Sequence, residues 1–162
     1  MEMIIQEYQN SNREHLISLI VALQDYLVNI DPLQRLRRLS SFGEVYVDSL
    51  LGKINESNGK IILAKQEQEF VGCIAGIIEE QKDEDRVGTI TSRAGRILEL
   101  IVLENYRGHG IGSELMEKME EYFRANKCDV VRVEVFVPNA LAHRFYSRLQ
   151  YVDRSFDMLK RL

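Results

Sequence analysis

Three glycines, Gly108, Gly110 and Gly112, stand at alternate positions between an apolar segment and an amphipathic one. Glycine has no Cβ, so its backbone can approach a phosphate closely, and a helix N-terminus adds unpaired N–H groups and a partial positive charge. Arg107 places a permanent cation at the rim of this turn. The pattern predicts an anion-binding turn that opens a helix. The alternative is a tight strand-to-helix turn that uses glycine only for its backbone angles.

The residues at these positions exclude two better-known phosphate loops. The nucleotide P-loop requires a lysine before its serine or threonine, whereas Gly112 precedes Ser113 here. The dinucleotide fingerprint places its third glycine one position after Gly112, where Ser113 stands. That fingerprint also normally opens a domain, and this turn lies past residue 100. Any anion bound here therefore belongs to another ligand class.

Hydrophobic periodicity and turn residues predict the elements around this turn. Leucine and isoleucine recur at three- and four-residue spacing after Asn12, which indicates a helix that ends at Asp31-Pro32. Apolar residues between Val45 and Ile54 indicate a second helix. The expected order is β-α-α-β-β-β-α-β-α-β. Strands are expected over 3–8, 60–65, 70–78, 97–103, 130–137 and 151–159, and further helices over 111 to about 126 and 139–149.

Length and composition predict one globular domain over residues 1–162. The chain has 162 residues, of which 45% are hydrophobic and 28% are charged, and these values suit a folded chain with one core. The alternation of strands and helices predicts a mixed α/β (α+β) fold around a single sheet.

Composition also excludes several classes of partner. The net charge of −4 disfavours nucleic acid, because phosphate backbones require clustered Lys and Arg. No apolar run approaches the roughly 20 residues of a membrane span, and the N-terminus lacks a basic segment before an apolar one, so we expect a cytoplasmic protein with no membrane partner. Cys73 and Cys128 are far apart and the histidines lack ligand partners, so we expect no disulfide framework and no metal.

At this point the sequence resembles a known family. The run Arg107-Gly108-His109-Gly110-Ile111-Gly112 is similar to the R/Q-x-x-G-x-G/A signature of the GNAT superfamily of acyl-CoA-dependent N-acyltransferases, and residues 139–146 look like its N-x-x-A-x-x-F/Y-Y segment. The resemblance covers the whole order of elements and is strongest over 97–151. It implies a mixed, mostly antiparallel sheet that is splayed between the fourth and fifth strands, with helices on both faces. The chain departs from the common pattern at Glu104, His109 and Gln150.

The resemblance implies that acetyl-CoA is the cosubstrate and that backbone amides of the glycine turn cradle its pyrophosphate. The end of the preceding strand would pair with the pantetheine arm, and an N–H near Val102 would polarise the thioester carbonyl. Asn139 would contact CoA, although capping of the short helix explains it equally well. The implied cofactor-binding residues are Leu100, Ile101, Val102, Leu103, Arg107, Gly108, His109, Gly110, Ile111, Gly112, Ser113, Asn139 and Tyr146.

Two carboxylates are candidates for the general base. Attack on a thioester requires a neutral amine, so a proton must leave an ammonium whose pKa is about 10 in water. Glu99 interrupts an apolar strand and is the first candidate; a side chain that faces solvent or pairs with Arg96 or Arg93 is the alternative. Glu134 is the second candidate, and a cross-strand ion pair on the strand face of Arg132 is its alternative.

Tyr146 is the candidate acid. By resemblance, its phenol would protonate the thiolate that leaves CoA, and a core aromatic beside Phe145 is the alternative. The implied function is N-acetyl transfer to a primary amine, by direct attack in a ternary complex. The acceptor is a small molecule or a peptide, and the segment from Asp31 to Ile54 would form one wall of its site. A noncatalytic acyl-CoA-binding or interaction module is the competing function, and the resemblance makes a homodimer possible.

Overall fold

The computed structural model describes residues 3–162, so the first two residues of the domain predicted over 1–162 lie outside the description. Within the described residues the sequence forms nine regular elements besides short 3-10 turns. The strands are β1 Met3–Glu7, β2 Lys60–Gln66, β3 Glu69–Glu80, β4 Arg93–Val102 and β5 Val130–Val133. The helices are α1 Arg13–Ile30, α2 Phe42–Glu56, α3 Ile111–Ala125 and α4 Ala140–Arg148. Apart from the final strand, their order is the predicted one.

The five strands form one sheet in chain order, β1-β2-β3-β4-β5. The first four pair antiparallel, and β5 joins β4 in parallel. This last pairing runs from Ala94 opposite Val130 to Ile97 opposite Val133. Because β4 continues to Val102 after β5 has ended, the two strands part beyond Ile97. The predicted mixed, mostly antiparallel sheet with a splay between its fourth and fifth strands is confirmed.

Helices cover both faces of the sheet, as predicted, and each face has its own apolar core. On one face, α1 and α2 bury leucines, isoleucine and valine against the sheet. On the other face, α3 packs its apolar side closely, since a Cβ at Gly95 would lie 2.3 Å from the Phe123 ring. The residues that build the buried side of α3 are those expected from the periodicity: Ile111, Leu115, Met116, Met119 and Phe123.

The strand predicted over Tyr151–Leu159 is wrong, and the one predicted over 130–137 is too long. Residues 151–162 form no regular element, and the side chains of Phe156 and Met158 are 71% and 91% exposed. Alternating apolar residues indicate a strand only where a neighbouring strand accepts the backbone hydrogen bonds. The neighbouring edge is short, because β5 ends at Val133 and the chain then turns, with the Asn139 N–H donating to the Phe136 carbonyl.

Candidate active site

A β-bulge in β4 decides which way Glu99 points. In the pairing of β3 with β4, Ala75 lies opposite Glu99 and Gly76 lies opposite Ile97, so Leu98 has no partner of its own. Side chains along a regular strand alternate between the two faces, and an inserted residue reverses that alternation. Ile97 accordingly packs in the core beneath α3, whereas Ile101 packs in the core beneath α1 and α2. Glu99 shares the face of Ile101 and points towards α2.

The Glu99 carboxylate accepts a hydrogen bond from the Tyr46 hydroxyl of α2. Burial raises the pKa of the Glu99 carboxyl above its ordinary value, while the Tyr46 hydrogen bond and the charge of Lys53 lower it. Burial, followed by the Glu99 charge, raises the pKa of Tyr46, so the phenol remains the proton donor of this pair. A carboxylate with a raised pKa binds a proton more readily at neutral pH, which suits a general base.

Neither of the arginines that the sequence offered as partners of Glu99 pairs with it. The nearby arginines pair with other carboxylates: Arg96 with Glu79 at 2.8 Å, and Arg93 with Glu80 at 3.0 Å. Glu99 is half-buried between β4 and α2, and burial is the largest influence on its pKa.

Glu99 lines a pocket of about 170 Å³ between α2 and the end of the β4–β5 pairing. This pocket is smaller than the roughly 300–1,000 Å³ of sites for drug-sized ligands. Both cations and carboxylates line it, so it is a polar site for a small molecule. The lining residues are Tyr46, Ser49, Leu50, Lys53, Arg96, Ile97, Leu98, Glu99 and Glu134.

Glu134 lies at the same pocket but in a different environment. Its side chain is 82% exposed and its carboxylate pairs with Arg96 at 3.2 Å. Arg96 also binds Glu79, which in turn accepts from Arg132 at 3.3 Å. Glu134 is thus part of an ion-pair network, and the cross-strand ion pair that the sequence left open is the one with Arg96 of β4. Exposure and this pairing leave Glu134 a weaker candidate base than Glu99.

Tyr146 lies on the opposite face of the sheet, in the core beneath α3. The side chain is only 8% exposed, and its ring makes edge contacts with Phe145 at 5.3 Å and Tyr151 at 5.7 Å. Burial, and next the negative charge of Glu99, raises the pKa of the Tyr146 phenol. The phenol therefore keeps its proton at neutral pH and is available as a donor. The Glu99 charge acts on this phenol through space, from the face of the sheet that α2 covers.

The glycine turn uses its three glycines in different ways. Gly108 and Gly110 have positive φ angles of 80° and 85°, and a Cβ at either position would meet no atom within 4 Å. Gly110 is the N-cap of α3, so the first N–H groups of that helix have no acceptor within the helix itself. A Cβ at Gly112 would instead lie 3.3 Å from the Phe145 ring, so this glycine allows α4 to pack against the start of α3.

This turn fits an anionic group on its open side. Within residues 3–162, the backbone N–H groups of Gly108, His109 and Gly110 donate to no acceptor. The His109 ring contacts the Tyr106 carbonyl at 3.4 Å, which keeps it beside the turn's own backbone. Unpaired N–H groups at a helix N-terminus are the features that bind phosphate in proteins.

The end of β4 presents a free backbone edge beside this turn. Beyond Ile97, the side of β4 that faces β5 pairs with no strand among the described residues. The Arg107 guanidinium donates from Nε to the Val102 carbonyl at 2.9 Å. An extended ligand with amide groups can add to such an edge as a further strand does.

Tyr26 of α1 contacts both Arg107 and Asn139, and the sequence analysis did not identify it. Its ring lies 5.1 Å from the Arg107 guanidinium, and its hydroxyl donates to Asn139 Oδ1 at 3.4 Å. The same oxygen accepts from the Ala142 N–H at 3.2 Å, which confirms that Asn139 caps α4. Tyr26 carried no signal in the sequence, because one aromatic in an amphipathic helix has no motif around it. Tyr46, Ser49 and Lys53 were foreseen only as part of the segment from Asp31 to Ile54.

Neither a cluster of metal ligands nor a helix able to cross a membrane occurs among residues 3–162. Residues 3–162 contain no group of three or more potential metal ligands close enough together to hold an ion. None of the helices in that range is both long and apolar enough to cross a bilayer.

The family model of the Acetyltransferase (GNAT) family matches residues 27–151. An uncharacterized N-acetyltransferase of Methanocaldococcus jannaschii is 41% identical over 69 residues, which are 42% of this chain and 44% of that protein. The aminoalkylphosphonate N-acetyltransferase of Salmonella typhimurium is 37% identical over 68 residues, again 42% of this chain and 44% of that protein. The matched stretch thus spans less than half the length of either curated relative.

The fold is similar to that of solved structures. The crystal structure of a point mutant of a Bacillus halodurans protein superposes with a TM-score of 0.83 at 19% identity. This match covers 98% of the present chain and 99% of the other. At that identity the likeness extends to the fold alone.

Proposed function

Because the chain belongs to the GNAT family of acetyltransferases, we propose that it transfers an acetyl group from acetyl-CoA to a primary amine. The observation that carries this proposal is the arrangement across the splayed sheet. Glu99 lines a polar pocket on the α2 side, and Tyr146 of α4 is buried in the core on the other face of the sheet, within reach of the Glu99 charge. Glu99 suits the uptake of a proton, and Tyr146 suits its donation.

The glycine turn and the free edge of β4 would hold the cosubstrate. The open N–H groups at Gly108, His109 and Gly110 would bind the pyrophosphate, supported by the dipole of α3. Arg107 would exchange its contact with the Val102 carbonyl for a phosphate oxygen, and the freed edge of β4 would bind the pantetheine amides. Acetyl-CoA supplies the acetyl group as a thioester, with a thiolate as its leaving group.

Glu99 would accept the proton that the acceptor ammonium must lose, directly or through one water. The lone pair that this frees forms the new bond from nitrogen to the acetyl carbon, and the carbon–sulfur bond breaks. An N–H near Val102 would bind the carbonyl oxygen while it carries negative charge. Tyr146 would then donate its phenolic proton to the thiolate, and the nitrogen, which still carries one proton more than an amide, would pass that proton to the phenolate and restore Tyr146. The proton taken up by Glu99 returns to solvent, so the transfer needs no covalent enzyme intermediate.

The pocket beside Glu99 supports a small-molecule acceptor best. The pocket volume of about 170 Å³ leaves little room for a folded protein surface or a long peptide. The curated relative from Salmonella typhimurium is named for a small amine acceptor as well.

Release of thiol from acetyl-CoA, measured over a panel of amines, tests the proposal. A thermal-shift assay with CoA accompanies it. The competing function is a noncatalytic acyl-CoA-binding module, and it predicts stabilisation by CoA without thiol release on any amine. Absence of any CoA effect would contradict both functions.

A further inference from the structure

Three side chains of α2 form a line along the pocket beside Glu99. Tyr46, Ser49 and Lys53 are spaced by three and four residues, so they lie on one face of the helix, about one turn apart. All three line the pocket. The polar face of α2 is thus directed at the place where the acceptor amine would lose its proton.

The three side chains differ in whether they already have a partner. Tyr46 donates to the Glu99 carboxylate. Within residues 3–162, neither the Ser49 hydroxyl nor the Lys53 ammonium makes a hydrogen bond or an ion pair. The Lys53 charge acts on Glu99 only through space. A hydroxyl and an ammonium therefore line the pocket with donors that no described residue uses.

The other cation at the pocket is already neutralised. Arg96 binds Glu79 at 2.8 Å and Glu134 at 3.2 Å, so its guanidinium has two carboxylate partners. Once these pairs are set aside, the pocket retains one carboxylate, Glu99, and one unpaired cation, Lys53. The charges of Glu99 and Lys53 are complementary to those of a molecule that carries an ammonium at one end and an anion at the other.

We propose that the acceptor is a small primary amine that also carries an anionic group, and that Lys53 and Ser49 bind that group while the amine lies at Glu99. This inference rests on the proposed acetyl transfer. A diamine is disfavoured, because its second ammonium would approach Lys53. The anionic group is a carboxylate, phosphonate or similar oxyanion on a short chain, since the pocket is small.

Four short primary amines test this class on the full chain with acetyl-CoA. β-Alanine and aminoethylphosphonate carry an anion, β-alaninamide is the neutral match, and diaminopropane is the cationic match. We expect kcat/KM for the two anionic amines to exceed that for the neutral amine by about tenfold, the effect of one charge-assisted contact. Lys53→Met should raise KM for the anionic amines only, and Lys53→Arg should restore most of the difference.

Controls separate anion binding from a general effect on Glu99. Loss of the Lys53 charge alters Glu99 for every amine alike, whereas loss of an anion site alters only the anionic pair. Lys118→Met removes a lysine on the outer side of α3, where it pairs with Glu121, and should leave all four amines unchanged. A preference for diaminopropane, or an equal effect of Lys53→Met on all amines, would overturn the inference.

A binding measurement keeps this inference distinct from the proposed function. Phosphorus NMR of aminoethylphosphonate, titrated with the protein and CoA, reports binding at the pocket without turnover. Binding that Lys53→Met abolishes, with no thiol release, would contradict acetyl transfer but support the anion site. Thiol release from neutral amines alone, without a Lys53-dependent phosphorus signal, would support acetyl transfer and reject the anion site.

Discussion

The Tyr46 hydroxyl donates a hydrogen bond to the Glu99 carboxylate, across 53 residues of sequence. The bond joins α2 to β4 at the bulge, so it fixes both the direction of the carboxylate and the position of the helix that lines the pocket. It also stabilises the ionised form of Glu99, while burial favours the protonated form. The proton affinity of the proposed base is therefore set by two opposed influences, of which one can be removed by mutation.

Tyr46→Phe should move the acidic limb of the pH–rate profile to higher pH. The change removes a hydrogen bond that lowers the pKa of Glu99, so this pKa rises and the carboxylate form appears only at higher pH. The profile of kcat/KM against pH measures the shift. Tyr8→Phe is the matched control, because the Tyr8 hydroxyl is buried without a hydrogen-bond partner among the described residues. A profile that moves equally in both variants would show that the Tyr46 bond does not act on the base.

Glu99→Gln and Glu134→Gln together identify the general base. Glutamine at 99 can still accept from the Tyr46 hydroxyl but cannot take a proton, so we expect kcat to fall about 100-fold or more with CoA affinity unchanged. Glu134→Gln should change kcat by less than about fivefold, because an exposed ion pair contributes little. Steady-state kinetics and CoA titration measure both variants. The reverse order of effects would assign the role to Glu134.

The sequence predicted the positions of the strands, helices and turn at this site better than the directions in which their side chains point. Glycine spacing and helical periodicity located the turn at Gly108 to Gly112 and the start of α3, because both depend on neighbouring residues. The face of Glu99 was not predictable, since it depends on a bulge whose cause lies in the pairing of β3 with β4. The Tyr46 contact was missed for the same reason. The strand predicted over Tyr151–Leu159 was wrong for a related reason. An alternation of apolar and polar residues does not show whether another strand is available to pair with that segment.

Tyr146→Phe should lower turnover much more than it lowers CoA affinity. The ring and its contacts with Phe145 and Tyr151 remain, so packing is kept while the proton donor is lost. We expect kcat to fall about 100-fold if the phenol protonates the leaving thiolate. Tyr151→Phe is the matched control, since it removes the half-buried hydroxyl of a neighbouring ring, which donates to Glu120. Equal turnover of Tyr146→Phe and the parent protein across pH would remove Tyr146 from the acid role.

Gly110→Ala should weaken CoA binding through the backbone of the turn alone. The φ angle of 85° is unfavourable for alanine by about 1–2 kcal/mol, and the Cβ itself meets no atom within 4 Å. The turn will relax away from this conformation, which redirects the N–H groups that face the proposed phosphate site, and CoA affinity should fall about tenfold. Gly88→Ala is the control, because Gly88 has equally open surroundings but a φ of −112°. Calorimetric titration with CoA measures both variants. Unchanged affinity in Gly110→Ala would place the pyrophosphate elsewhere, whereas a loss confined to that variant ties binding to the positive φ at the start of α3.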